Sequence, residues 1–449
     1  MKPFWSSERW EHPPLDASNC NVQDAVYDRP HLQSAGSSTR FGRWDQWLDN
    51  NAAATDLAPD DPYILNAYGG LLAGRGRADE ATDLFQRAIA AKPDLPHARY
   101  GLALLLARSG ELDTALDTLN DLFAQPLAAD PRNTPVYGEA RRLYLDVRRQ
   151  RAMASQPVTI ERLRETLAAY TVESGIEVRL QENKSLGADS KVELAWRYQR
   201  PYHLILYGAS GPNPYLIANA FERIRMESAA RAAGINRLFS VGPKQRANAV
   251  HQLEREVRKV QSRSTLDPQQ LQRYLDSLLH GMPSQLYNMP RDCFIARRLH
   301  DSYPWLQDAL FVGLAEEMAQ SARTLALTEA GASVNVPPTI LRSNLTMNAA
   351  YALCVDDIFD GATAYAAVYE PAGVLPAAQR LFALYQAAGT APDADLDLVD
   401  AWAKDLGLTG WYAWQMDDTV TPPLRTPDPV RHRLPPTTWR MPGQASQLR

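Results

Sequence analysis

The chain repeats itself. A glycine followed three residues later by an aspartate recurs at a spacing of 34 residues, in Gly42-Arg-Trp-Asp45-Gln-Trp47, Gly76-Arg-Ala-Asp79-Glu-Ala81 and Gly110-Glu-Leu-Asp113-Thr-Ala115. The register continues through Ala54, Ala88 and Leu122, and through Pro59 and Pro93. A fixed period of this length restricts the fold severely. Each repeat is one small unit that cannot bury its apolar face alone, so neighbours must stack. Gly76 and Gly110 fall where the chain turns between paired helices and needs backbone freedom. Ala81 and Ala115 let two helices approach closely, and Pro93 ends a helix that it cannot continue.

Gly69, Phe85, Ala88 and Pro93 fall where the tetratricopeptide pattern places its glycine, aromatic, small residue and closing proline. Over about residues 41–150 the chain resembles the tetratricopeptide repeat family. The resemblance implies stacked helix pairs with a groove for a protein or peptide partner. First-helix residues Asn66, Tyr68, Gly70, Arg99 and Leu102 are expected to line that groove. The first repeat has Trp47 in the small-residue position, which suits a cap. A helix over about 136–152 is expected to close the stack, with Arg141, Arg142, Arg148, Arg149 and Arg151 on a solvated face.

After Pro157 the pattern changes. Residues 159–174 read as a helix, and 176–180 as a strand. Val192-Glu-Leu-Ala-Trp-Arg-Tyr198 alternates as a half-buried strand does, and Tyr202-His-Leu-Ile-Leu-Tyr207 is a second such run. A loop at 208–214 precedes a long helix that begins near Tyr215. From there to about residue 420 the chain reads as mostly helical, punctuated by Pro290, Pro304 and Pro337-Pro338. The expected fold is mainly α, with a tetratricopeptide-like repeat domain and an α+β C-terminal domain of a small sheet and long helices. The expected divisions are an irregular arm at 1–40 carrying Phe4, Trp5 and Trp10, repeats at 41–152, the α+β domain at 156–420, and a proline-rich tail at 421–449.

The helix from Tyr215 follows a strand, the place where zincin metallopeptidases carry His-Glu-x-x-His. There, two histidines one turn apart hold zinc and the glutamate polarises water. Together with Gly234-Ile-Asn-Arg-Leu-Phe239, Asp360-Gly-Ala-Thr-Ala-Tyr365, Leu396–Trp402 and Gly410-Trp-Tyr412, this segment is similar to bacterial proteins that couple helical repeats to a small zincin-like domain. The resemblance implies a degenerate site. Asn219 stands at the first histidine position, Ala220 at the glutamate and Arg223 at the second histidine, with Glu227 one turn on. Asparagine is a poor zinc ligand, alanine is no base, and a guanidinium repels a divalent cation. The alternative is a plain amphipathic helix.

Other motifs read as structural. Pro212 breaks the nucleophile-elbow spacing after Gly208-Ala-Ser210-Gly211. His251 and Glu254 lack the second copy that a di-iron site needs. Asp356, Asp357 and Asp360 lack the closing glutamate of a calcium loop, since Ala367 stands there, and read as helix-terminal carboxylates. Cys293, between His280 and His300, reads as a buried inert thiol, and His203 as a core or edge histidine. Trp402, Trp411 and Trp414 are expected to cluster. No cofactor and no metal are expected.

At 449 residues the chain has room for two or three domains. A net charge of −5 gives no basic footprint for nucleic acid, and the run from Arg246 to Arg263 is interleaved with Glu254 and Glu256. No window is apolar enough to span a membrane, and the N-terminus lacks a signal-peptide core. Cys20, Cys293 and Cys354 form no close pair in sequence, which fits a reducing compartment, so a cytoplasmic location is expected. The leading expectation is a non-catalytic protein-binding scaffold. Its rivals are a metal-dependent hydrolase drawing ligands from His203, His251, His280 and His300, and a subunit of a larger hetero-oligomeric assembly.

Overall fold

A computed structural model describes residues 55–56, 58–125, 134–187, 190–264, 267–329 and 336–417. The N-terminal arm, the repeat at Gly42–Trp47, Cys20 and the proline-rich tail lie outside the described residues.

Two helix pairs form the repeats: α1 (Pro62–Gly74) with α2 (Ala78–Ala91), and α3 (Pro96–Ser109) with α4 (Leu112–Phe123). Asp61 starts α1, its carboxylate accepting from the amides of Tyr63 at 2.9 Å and Ile64 at 3.1 Å. Gly110 ends α3 at φ +86°, a left-handed conformation that carries almost no cost for glycine. Ala81, Ala88, Ala98 and Ala115 are fully buried where helices touch. The first pair and α3 share a core of Leu65, Leu72, Leu84, Phe85 and Leu102.

The helix that follows corrects the sequence expectation. Residues 134–174 form one helix, α5 (Thr134–Ser174), which runs through Pro157 without stopping. At 1.5 Å per residue it is about 60 Å long. Met153, Gln156, Pro157 and Val158 are all exposed, so water reaches the carbonyl that Pro157 leaves without a donor. The helix therefore continues across the boundary expected near 152–156.

Its arginines are also not all solvated. Arg148 bonds Asp308 at 2.7 Å and lies 5.0 Å from the centre of the Tyr144 ring. Arg151 bonds Asp308 at 3.0 Å and also pairs with Asp113, the aspartate of the repeat. Arg141 donates to the carbonyl of Gly361 at 3.3 Å. Through these contacts α5 joins the repeats to the C-terminal body.

A three-stranded sheet follows: β1 (Glu177–Glu182), β2 (Ser190–Glu193) and central β3 (Tyr202–Tyr207). β1 lies parallel to β3, with Leu180 opposite Ile205, and β2 antiparallel, with Val192 opposite Ile205. The strand expected to run to Tyr198 ends at Glu193, because residues 195–199 turn and Gln199 adopts φ 51°. Leu194, Ala195 and Trp196 are then buried in succession, which an alternating strand does not allow.

The remainder is helical: α6 (Pro214–Ala232), α7 (Pro243–Arg263), α8 (Pro268–Ser302), α9 (Gln307–Glu329), α10 (Pro338–Ile358), α11 (Leu375–Gln386) and α12 (Ala394–Asp405). A ribbon of β4 (Arg237–Ser240) and β5 (Ala413–Met416) pairs Phe239 with Trp414. One large core runs from Ala103, Ala115 and Leu119 of the second repeat through α5 to Trp402 and Trp411. The second repeat is thus built into the body. No described helix is long and apolar enough to cross a membrane.

Candidate functional site

The first-helix face of the repeats is made by α1 and α3. Tyr68, Gly70 and Arg99 are partly exposed there. Asn66 and Leu102 are each 8% exposed, and Leu102 belongs to the core between the helices. All five expected residues lie on α1 and α3, and Asn66 and Leu102 face inward. Tyr63, 60% exposed on α1, is a large apolar side chain that the sequence did not single out. No Cβ built at Gly70 would meet any atom within 4 Å, so the surface is open there.

The four residues expected to mark a degenerate site are divided. Asn219 and Arg223, one turn apart on α6, share a face. Arg223 donates to Asn219 at 3.3 Å and to Asn288 at 3.0 Å, and pairs with Asp292. Ala220 is 2% exposed in the main core. Glu227 belongs to a different network. It meets Arg291 at 3.1 Å and Arg197 at 3.2 Å, and accepts from the Tyr287 hydroxyl at 3.1 Å. Burial works to raise the Glu227 carboxyl, but Arg291 and Arg197 hold it below the usual value. Arg291, 3% exposed, is completed by Asp395 at 2.7 Å.

Arg223 stands at one end of a polar seam between α6, α8, α9 and α10. Tyr215, Asn219 and Arg223 come from α6, and Gln285, Asn288 and Asp292 from α8. Glu317 comes from α9, and Asn344, Asn348 and Tyr351 from α10. Glu317 accepts from Tyr215 at 2.8 Å and from Tyr351 at 3.1 Å. Gln285, Asn344 and Asn348 bond one another in a closed ring at 2.7–3.2 Å. Burial, with the charge of Asp292 added, pushes the Glu317 carboxyl up to about 7, against its two tyrosine donors. Burial also raises Asp292, and Arg223 opposes it. The seam can therefore take up and release a proton near neutral pH. Sequence reading found only Asn219 and Arg223 of this set. The missed signal was polar residues recurring every three or four positions on α8 and α10, where helices that meet usually present apolar faces.

The candidate histidines do not converge. His203 is fully buried in β3, where Nδ1 accepts from the Ala195 amide at 3.2 Å, and burial lowers its pKa to about 4. His251 and His280 are exposed, and His300 bonds its neighbour Asp301 at 2.9 Å. Among the described residues no group of three or more His, Cys, Asp or Glu side chains could hold a metal ion. His280 and Cys293 lie about 20 Å apart along α8. Cys293 is fully buried, which raises its thiol well above the ordinary value. Asp356 accepts from Thr363 at 2.7 Å and from the amides of Tyr365 and Ala366 at 2.8 and 2.9 Å, a role in holding the chain. Trp402 donates to Leu381 and Trp411 to Gln252, while Trp414 packs on Phe239 and Tyr412. Trp402 and Trp411 are buried in the main core and Trp414 packs against it.

Residues 72–132 match the tetratricopeptide repeat family model. The matched residues span α2 to α4 and form a tetratricopeptide-like repeat region. A TPR repeat-containing protein of Synechococcus elongatus is 27% identical over 134 residues, which cover 29% of this chain and 30% of that protein. Peroxisomal targeting signal receptors of Eremothecium gossypii and Candida albicans are 39% and 36% identical over 61 residues. Those residues are 14% of this chain and 11% and 10% of the receptors. The chain thus spans less than a third of the length of these relatives. No solved structure matches the chain. The tetratricopeptide match ends just before α5, and the polar seam lies wholly beyond it.

Proposed function

We propose that this is a non-catalytic binding protein that takes a protein or peptide partner along the first-helix face of its tetratricopeptide repeats. The observation that carries the reading is the pair of repeats itself, matched by family and built with a partly open α1–α3 face. Tyr68, Gly70 and Arg99 are the surface residues proposed to meet the partner, with Asn66 and Leu102 setting their positions from below. Two relatives are named as receptors of a targeting signal, which favours a peptide occupant over a small molecule. The C-terminal body, fused to the second repeat through α5, serves as a rigid platform and a second surface. A cytoplasmic setting and a hetero-oligomeric assembly belong to the same reading.

The finer part of the proposal concerns α6 as a degenerate metallopeptidase helix. Its support is that Asn219 and Arg223 lie one turn apart on one face of α6, as paired ligands would, with Arg223 paired to Asp292. On this reading elemental analysis of the purified chain finds no stoichiometric metal, and chelators leave its stability unchanged. A zinc or iron ion at one per chain overturns it.

The test of partner binding is photo-crosslinking in the producing cell. A benzophenone amino acid at position 70 on α1 should give discrete adducts. The same group at position 86, exposed on α2, should not give those adducts. Identical adducts from both positions, or none from position 70, would refute the groove.

A further inference from the structure

A second site lies away from the repeats and the seam. Between α7 and α8 the surface forms an open concavity of about 440 Å³. Arg246 and Val250 of α7 line it, with Arg273, Asp276, Leu279 and His280 of α8. Neither arginine has a carboxylate partner among the described residues. Arg246 donates once, to the Val241 carbonyl at 3.4 Å, and Arg273 once, to the Gln269 carbonyl at 3.3 Å. A guanidinium carries five N–H donors, so most of their capacity is unspent. Asp276 accepts from Gln272 at 3.0 Å, and it is one negative charge against two arginines.

We propose that this concavity binds a phosphomonoester with an apolar organic group. The two arginines, on different helices, suit an anion that accepts from more than one side. Each guanidinium is a planar fork of N–H donors, and together they can meet the two negative charges of a phosphomonoester, where a carboxylate offers one. Val250, 48% exposed, and Leu279 offer an apolar wall, and the volume is far more than a phosphoryl group fills. The ligand's charge would be met by the guanidinium forks and its organic part by Val250 and Leu279.

The experiment is calorimetric titration of the full chain with phenyl phosphate, inorganic phosphate and phenylacetate at low ionic strength. Phenyl phosphate should bind saturably at one site per chain, and more tightly than either of the others. Arg246→Gln and Arg273→Gln should each weaken it by about tenfold or more. Both side chains are exposed, so unchanged melting temperatures will show that the variants fold. Three results would overturn the proposal. They are no saturable heat, phenyl phosphate binding unchanged in the double variant, or phenylacetate binding as tightly as phenyl phosphate.

Discussion

Phe85 fills the space beside Gly101 so closely that a Cβ at position 101 would stand 2.6 Å from its Cζ. The same ring lies against Gly69, where an added Cβ would stand 3.1 Å from Cε1. The ring of one repeat thus sits between glycines of its own first helix and of the next. Gly101→Ala has no room to be absorbed and should destabilise the chain by about 1–3 kcal/mol. Gly70→Ala, in open space on α1, should instead stabilise it by up to about 1 kcal/mol through helix propensity alone. Urea unfolding of the two variants checks the pair, and a similar effect of both would contradict the packing described.

Two buried groups should give the stability opposite dependences on pH. The Glu317 carboxyl titrates at about 7 in the fold against an ordinary 4.5. Between those values the folded state holds more protons, so its contribution is complete below about 4.5 and lost as pH rises to about 7. His203 is lowered to about 4 from an ordinary 6.5. Its contribution is complete above about 6.5 and lost as pH falls to about 4. Each is worth on the order of 3 kcal/mol, and between about 4.5 and 6.5 they offset one another.

Single variants should separate the two. Glu317→Gln should leave a stability that climbs with pH from about 4 to 6.5. His203→Asn should leave one that falls from about 4.5 to 7. Denaturant midpoints across that range are the measurement, and a parent-like profile in both variants would contradict the assignment.

The repeats were legible because a fixed period survives in the sequence whatever the side chains do. Gly76, Ala81 and Gly110 repeat, and Phe85 has one place to go. The body was legible only as helices and strands. Tyr202–Tyr207 reads as a half-buried strand; it is a strand, but His203 to Leu206 are all buried because it is the central one of three. Val192–Tyr198 reads as another but stops at Glu193, where the chain turns. Alternation over seven residues cannot register such a turn. The seam escaped for a different reason. Glu317 is one acid on a mixed helix until Tyr215, Asp292 and Tyr351 arrive from three other helices, and no spacing within α9 announces them.

Pro157 marks another limit. A proline inside a helical pattern predicts a break, yet α5 continues through it because that face is solvated. Pro157→Ala would restore a donor to the Met153 carbonyl. It should stabilise the chain by about 1–2 kcal/mol, after the greater freedom of the unfolded alanine chain is subtracted. Thermal melting measures this, and a loss of stability would contradict it.

The binding reading is tested most directly by quantitative affinity capture with three forms of the chain. These are the parent, a Gly70→Glu/Arg99→Glu variant of the first-helix face, and a Gln86→Glu variant on α2. Each variant is first shown to melt with the parent. The account predicts that the proteins retained by the parent are retained by Gln86→Glu and lost by Gly70→Glu/Arg99→Glu. Retention of the same proteins by all three forms would contradict it.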